Sequence, residues 1–152
     1  MRLNDAMVAL SDEGTATDVL VGCQVYFDKV EEISGLFAND VVNTPEDCRK
    51  VLSEATSVYM ALAPLLALAE TEKKNREVIY YVAKKMSVEN AGDKFVATST
   101  STEASHHVVT YRRVRNILEG YVDAVKSAIQ TCQSTLKSMS DETRMLASAT
   151  AS

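Results

Sequence analysis

Glu103-x-x-His106 has the spacing that puts two metal ligands on one helical face, and it is where metal chemistry would first be sought in this chain. A di-iron bundle uses two such pairs and two further carboxylates, and the chain's second histidine, His107, is the immediate neighbour of the first. Adjacent helical residues point about 100° apart, so the two imidazoles cannot clamp one ion from a regular helix. The preferred reading is solvated or partner-facing histidines, with a Glu103/His106 metal bundle kept as a distant alternative, and no metal or other cofactor is assigned. The three cysteines, Cys23, Cys48 and Cys132, lack metal-ligand spacing. Each falls on an apolar stripe, where burial raises a thiol pKa and dulls it as a nucleophile. A glycine-rich phosphate loop is absent from the sequence. No catalytic residue is identified, and the chain is not expected to be an enzyme.

Charge and aromatic placement is more informative. The 152 residues carry 16 basic and 21 acidic groups, a net charge of -5 that taken alone argues against a polyanionic partner. Split along the chain, residues 1–70 hold four basic and twelve acidic groups, while 71–152 hold twelve and nine. The cations concentrate in two segments: Lys73, Lys74, Arg76, Lys84, Lys85 and Lys94, then Arg112, Arg113 and Arg115. Tyr80, Tyr81, Phe95 and Tyr111 are interleaved with them. Cations that neutralise phosphates, beside rings that stack on unpaired bases, are the means of binding single-stranded nucleic acid. The candidate backbone contacts are those nine cations, and the stacking candidates are Tyr81, Phe95 and Tyr111. A solvated helical face, with these cations paired to acids such as Glu72 and Glu77, is the competing reading.

The elements that would position these residues are helical. Over 18–37, Val19, Cys23, Tyr26, Val30, Ile33 and Phe37 recur every three or four residues, giving an amphipathic helix with an acidic back. Thr44-Pro45-Glu46-Asp47 supplies a cap, a proline for the first turn and two acids, so a second helix should start there. From Cys48 through Val51, Ala55, Val58, Leu62, Leu65, Ala69, Glu72, Arg76, Ile79 and Ala83 to Met86, the spacing alternates three and four, as in a heptad seam. Pro64 should kink that helix. Residues 87–99 read as a connector with room for a short strand at 94–98. Thr100 and Glu103 fit a capping box, after which Tyr111, Val114, Leu118, Tyr121, Val125, Ala128, Cys132, Thr135 and Met139 repeat the seam. The expectation is an all-α, elongated, coiled-coil-like antiparallel helical hairpin (44–139) with an additional N-terminal helical region (1–43), one domain over 1–139. A flexible tail should follow at 140–152. The wide apolar stripes and the small Ala61, Ala63, Ala67 and Ala69 call for self-association.

The longest stretch without a charge, 55–69, is 15 residues and contains Pro64, short of the roughly 20 a membrane span needs. Asp5, Asp12 and Glu13 interrupt the start of the chain, so a secretory signal is not expected either. The expected location is cytoplasmic.

The opening Met1-Arg2-Leu3-Asn4-Asp5, the Tyr80-Tyr81 and Lys84-Lys85 pairs before a polar connector, and Tyr111, Leu118 and Val122-Asp123-Ala124-Val125-Lys126-Ser127 in the following helix together carry a resemblance. In this order of features, over about 51–139, the chain resembles the UvsY-like recombination mediators of tailed bacteriophages. The resemblance implies a helical homo-oligomer, a ring being one form it allows, that binds single-stranded DNA and helps load a RecA-type recombinase onto DNA coated with single-stranded DNA binding protein, in DNA recombination and repair. It favours Lys84, Lys85, Lys94, Arg112, Arg113 and Arg115 as backbone contacts, and it places the chain in the cytoplasm of an infected bacterial host. The acidic N-terminal region, 4–47, departs from the family's compact core. It leaves open a different class of function, a structural or adaptor oligomer that binds protein through its acidic helix.

Overall fold

A computed structural model describes residues 1–150, with side chains through residue 146; residues 151–152 lie outside the described residues. The chain is all-α. Six helices follow one another as α1 (Leu3–Leu10), α2 (Asp18–Gly22), α3 (Gln24–Ala38), α4 (Pro45–Asn90), α5 (Ala97–His107) and α6 (Val109–Thr150), with no strand among the described residues. The chain divides into two compact units, one formed by 1–23 and 64–119, the other by 24–63 and the chain from Gly120 onward. Helices α4 and α6 contribute to both.

The second unit is built on the heptad stripe. Thr44 and Asp47 form the reciprocal cap expected at the start of α4: the Asp47 amide donates to the Thr44 hydroxyl oxygen at 3.1 Å, and the Thr44 amide donates to the Asp47 carboxylate at 3.1 Å. Cys48, Val51, Ala55, Val58 and Leu62 are then buried at spacings of three and four, and Val122, Val125, Ala128 and Cys132 of α6 are buried with the same period. The Cys48 and Cys132 thiols neighbour each other in this core, and both are fully buried. Helix α3 closes the core with Phe27, Val30 and Ile33. The Phe27 ring stacks on Tyr121 at 4.0 Å between centroids, and the Tyr121 hydroxyl donates to Glu31 at 2.9 Å. Lys29 reaches Glu54 of α4 at 3.0 Å. Helix α3 ends in a Schellman motif: the Asp40 amide bonds to the Phe37 carbonyl, the Val41 amide to the Leu36 carbonyl, and Asp40 itself sits at φ 54°.

In the first unit the core gathers Ala6, Ala9, Leu10, Ala16, Val19 and Cys23 from the N-terminal segment with Leu65, Ala69, Thr100, Ala104, Val108, Tyr111, Val114 and Leu118. The α4 helix stops at a second Schellman motif, where Gly92 takes φ 74° and donates to the Glu89 carbonyl while Asp93 donates to Val88. Of the connector expected over 87–99, only 91–96 lie outside a helix, because α4 continues to Asn90 and α5 begins at Ala97.

Several sequence expectations differ from the fold. The 18–37 helix is interrupted at Cys23: the α-amino group of Met1 donates to the Gly22 carbonyl, and the Cys23 amide turns back to Leu20 and Val21. Glycine holds a helix weakly, so the break falls there. The 94–98 strand and the Thr100 cap are absent. Helix α5 begins at Ala97, so Thr100 lies inside it, buried, with its hydroxyl bonded to the Val96 carbonyl at 3.1 Å. A one-residue break at Val108, buried and at φ -108° ψ 25°, separates α5 from α6. The α4 stripe is buried only through Ala69; Ile79 and Met86 are exposed, along with Val78 and Val82. Of the segment read as a flexible tail, 140–150 continue α6, and 151–152 lie outside the described residues. Helix α4 also contains an 18-residue window of mean hydropathy 1.5, so by length and composition alone it is long and apolar enough to cross a membrane, which the 15-residue uncharged run is not.

Candidate nucleic-acid interface

All nine candidate cations lie in the first unit. Helix α4 carries Lys73 to Lys85, the loop after it Lys94, and the first turns of α6 Arg112, Arg113 and Arg115. Seven of them face carboxylates. Lys73 pairs with Glu77 at 3.5 Å, Lys74 with Glu70 at 3.2 Å, Arg76 with Glu72 at 2.7 Å, Lys85 with Glu89 at 3.8 Å and Arg115 with Glu119 at 2.7 Å, each one turn along its own helix. Two pairs cross between helices: Arg112 to Glu77 at 3.4 Å, and Lys84 to Glu103 at 3.1 Å. Among the described residues, Lys94 and Arg113 make no ion pair or hydrogen bond, and both are exposed. The first unit as a whole holds ten basic and eleven acidic groups, so the division of charge seen along the sequence does not survive as a charged unit in space.

The aromatic candidates separate into two environments. Tyr81 and Phe95 meet edge to face at 5.6 Å between centroids, and the Lys85 ammonium sits 6.0 Å from the Phe95 centroid. Both rings are half-buried and reachable. Tyr81 also lines a groove of about 500 Å³ with Lys73, Glu77 and Arg112, floored by Ser101, Ala104 and Ser105 of α5. Arg112 is fixed there by the Ser105 carbonyl at 2.9 Å and by the Ser105 hydroxyl. Tyr111, in contrast, is 3% exposed, because it occupies a core position of α6; its ring is not available for stacking on a strand that passes over the surface. Its partner there is Arg76, whose guanidinium carbon is 5.3 Å from the ring centroid.

Glu103 organises the end of this surface. It accepts from Tyr80 and from Ser99, each at 3.3 Å, besides pairing with Lys84. The Lys84 ammonium holds the Glu103 carboxyl below the usual range, and Glu103 raises Lys84 in return. His107 packs its ring on Tyr80 at 4.6 Å, and His106 is exposed. No cluster of three histidine, cysteine or acidic side chains suited to a metal occurs among the described residues. Glu103 is therefore engaged as an anchor for α5.

Sequence reasoning located the cations and the Tyr81/Phe95 pair. It did not give the floor of the groove, Ser101 and Ser105, because serines on a helix carry no signal of what packs over them; Glu77 was named as a partner for cations, but not its bond to Arg112, which joins residues 35 apart. Comparison with known proteins leaves these features standing by themselves: no family model, no curated protein and no solved structure matches the chain.

Proposed function

We propose that the chain is a non-catalytic, phage-type recombination mediator that binds single-stranded DNA through the helix-connector-helix surface of its first unit and assists in loading a recombinase. The observation that carries this reading is the groove with Tyr81 on its wall between Lys73 and Arg112, continued by Phe95 beneath Lys85 and by the unpaired Lys94 and Arg113. Reachable rings beside cations are what a flexible polyanion with unstacked bases requires. In this reading α4 and α6 form an antiparallel hairpin, supported within each unit by contacts whose numbers rise in α4 as they fall in α5 and α6, Arg76 to Tyr111 and Lys84 to Glu103 among them. Copies of the chain associate through the apolar side chains left exposed on α4, and avidity then raises a weak site to a useful one. The chain acts in the cytoplasm and uses no cofactor.

Titration of a fluorescent oligonucleotide into the full chain at two salt concentrations tests the proposal. Binding at low salt should weaken steeply with added salt, and a Lys94→Ala/Arg113→Ala variant, which disturbs no ion pair, should bind less tightly with a shallower salt slope, by about 0.7 for each phosphate contact removed. Absence of binding at low salt, or identical binding by the variant, refutes it. A second reading, an adaptor that binds protein through its acidic helix, rests on the face of α3 where Val25, 67% exposed, lies beside Asp28 and Glu32. Recovery of a protein partner after nuclease treatment, lost on Val25→Lys, together with no oligonucleotide binding, would favour it.

A further inference from the structure

Two cysteines close one end of the second unit's core. Cys48 is the first buried residue of the α4 stripe, and Cys132 is the last buried one of α6 among the described residues, each with no exposed surface. The two helices lie side by side there: Pro45 and Arg49 of α4 line one cavity with Leu136 and Met139 of α6, which sets the turn bearing Cys48 beside the turn that follows Cys132. The thiols are neighbours within that layer. The DNA-binding reading makes no use of either.

Backbone separation decides what two facing cysteines can become. A disulfide spans Cα atoms about 4.4–6.8 Å apart. Helices packed about 8–10 Å between axes, each with its Cα atoms about 2.3 Å from the axis, leave directly facing Cα atoms about 3.5–5.5 Å apart, and a small offset along the axes brings them into that span. Ala128, the buried residue before Cys132, has only a methyl group, so no bulky side chain at this level holds the helices apart. Burial raises the Cys132 thiol and the neighbouring Cys48 raises it further, so in the closed core it stays protonated and inert. Cys23 is equally buried but belongs to the first unit.

We propose that Cys48 and Cys132 are the site of a reversible disulfide that ties the start of α4 to α6 when the chain meets a low-molecular-weight disulfide such as oxidised glutathione. One thiol gives up its proton and attacks a sulfur of oxidised glutathione, forming a mixed disulfide and expelling one glutathione thiolate. The other thiol then gives up its proton, attacks the protein sulfur of the mixed disulfide and expels the second. Two protein thiols are oxidised, one glutathione disulfide is reduced to two glutathiones, and the two protons pass to the departing thiolates. The first step waits on the opening that exposes the pair. Reclosure of the core drives the second, since the packed layer has no room for an attached glutathione and brings the two cysteines together. The new bond closes a loop of roughly 80 residues, which restricts the unfolded chain and so stabilises the fold. A reducing cytoplasm keeps the two as thiols, and the link marks exposure to oxidant.

The test equilibrates the full chain in buffers of reduced and oxidised glutathione, alkylates the free thiols in denaturant and maps the peptides by mass spectrometry without reduction. In oxidising buffers the tryptic peptide ending at Arg49 should be joined to the one ending at Lys137, with the loss of two hydrogens. The urea midpoint should rise by about 1–2 M and fall back on addition of dithiothreitol. Cys23→Ala should form the same link. Cys48→Ala should form none, and its midpoint should no longer respond to oxidant. Absence of the link after equilibration in the most oxidising buffer overturns the proposal, as do a link to Cys23 in its place, disulfide-joined dimers in its place, or an internal bond that lowers the midpoint.

Discussion

Arg76 belongs to the basic cluster by sequence, yet its contacts make it a fastener, and replacing it separates the two roles. Its Nε donates to Glu72 at 2.7 Å, another guanidinium nitrogen donates to the Ser11 carbonyl, and its carbon lies 5.3 Å from the Tyr111 ring centroid. The pair with Glu72 is one helical turn long and partly exposed, which limits it to about 0.3–0.5 kcal/mol. The bond to Ser11 is charge-assisted but exposed, so the lower end of the usual range applies, about 1.5 kcal/mol, less what water restores to the freed carbonyl. The cation over the Tyr111 ring adds about 0.5–1 kcal/mol. Arg76→Ala should therefore cost about 2 kcal/mol in urea denaturation of the full chain, at unchanged slope. Amides 11–17 should exchange faster with solvent, because one of the two fastenings of this turn between α1 and α2 is gone, the other being the Thr110 hydroxyl's bond to Glu13 at 3.0 Å. Arg76→Lys keeps the charge without the planar fork and should recover less than half of the loss. A loss below about 0.5 kcal/mol, with exchange in the turn unchanged, would refute the reasoning and leave Thr110 and Glu13 as the fastening that matters.

Other outcomes follow from the helix ends, the thiols and the Glu103 pair. Asp40 sits at φ 54°, where glycine is unstrained, so Asp40→Gly should stabilise by about 0.5–1 kcal/mol, and Gly92→Ala, at φ 74°, should destabilise by about 1 kcal/mol, both read from denaturation midpoints. Thr44→Ala removes the cap of α4 and should cost about 1 kcal/mol in the same measurement. Cys23, Cys48 and Cys132 are fully buried, and burial pushes the Cys23 and Cys132 thiols up; a thiol reagent should label all three at the rate of unfolding, and a fast-reacting thiol in the native protein would contradict the packing. The Glu103 carboxyl is lowered by Lys84, so its contribution is complete above the ordinary glutamate range and is lost as pH falls through the depressed value. Lys84 is raised by Glu103, so its part is complete below the ordinary lysine value and is lost only as pH rises through the raised one. Amide protection in α5 should therefore be flat through neutral pH and decline under acid, and Glu103→Gln should remove that acid limb.

What the sequence made legible was the part governed by local spacing. The start of α4 at Thr44-Pro45 and the buried run from Cys48 to Ala69 depend on neighbours three and four residues away, and they appear as expected. The break at Cys23 depends on Met1 reaching Gly22, a contact 21 residues apart in the chain. Helix α5 is expected only from Thr100, its first residues 97–99 reading as connector. It is helical because Thr100 and Ala104 are buried and because the Thr100 and Thr102 hydroxyls bond back to carbonyls four residues earlier. In the candidate interface the cations were visible, whereas the acids that meet two of them, Glu77 for Arg112 and Glu103 for Lys84, come from other helices. Tyr111 is by sequence both a ring among arginines and the first seam position of α6, and the packing decides for the seam.

The seven ion pairs on the first unit also decide how a polyanion would be received. A phosphate arriving at Lys73 or Arg112 finds Glu77 already in place, so binding there is an exchange of one anion for another. The energy of each such contact is a difference between two attractions, both screened by the same salt. Lys94 and Arg113 have nothing to surrender. A strand is expected to land on these two first and to displace carboxylates only afterward, giving a two-stage association whose fast stage alone carries the full ionic-strength dependence.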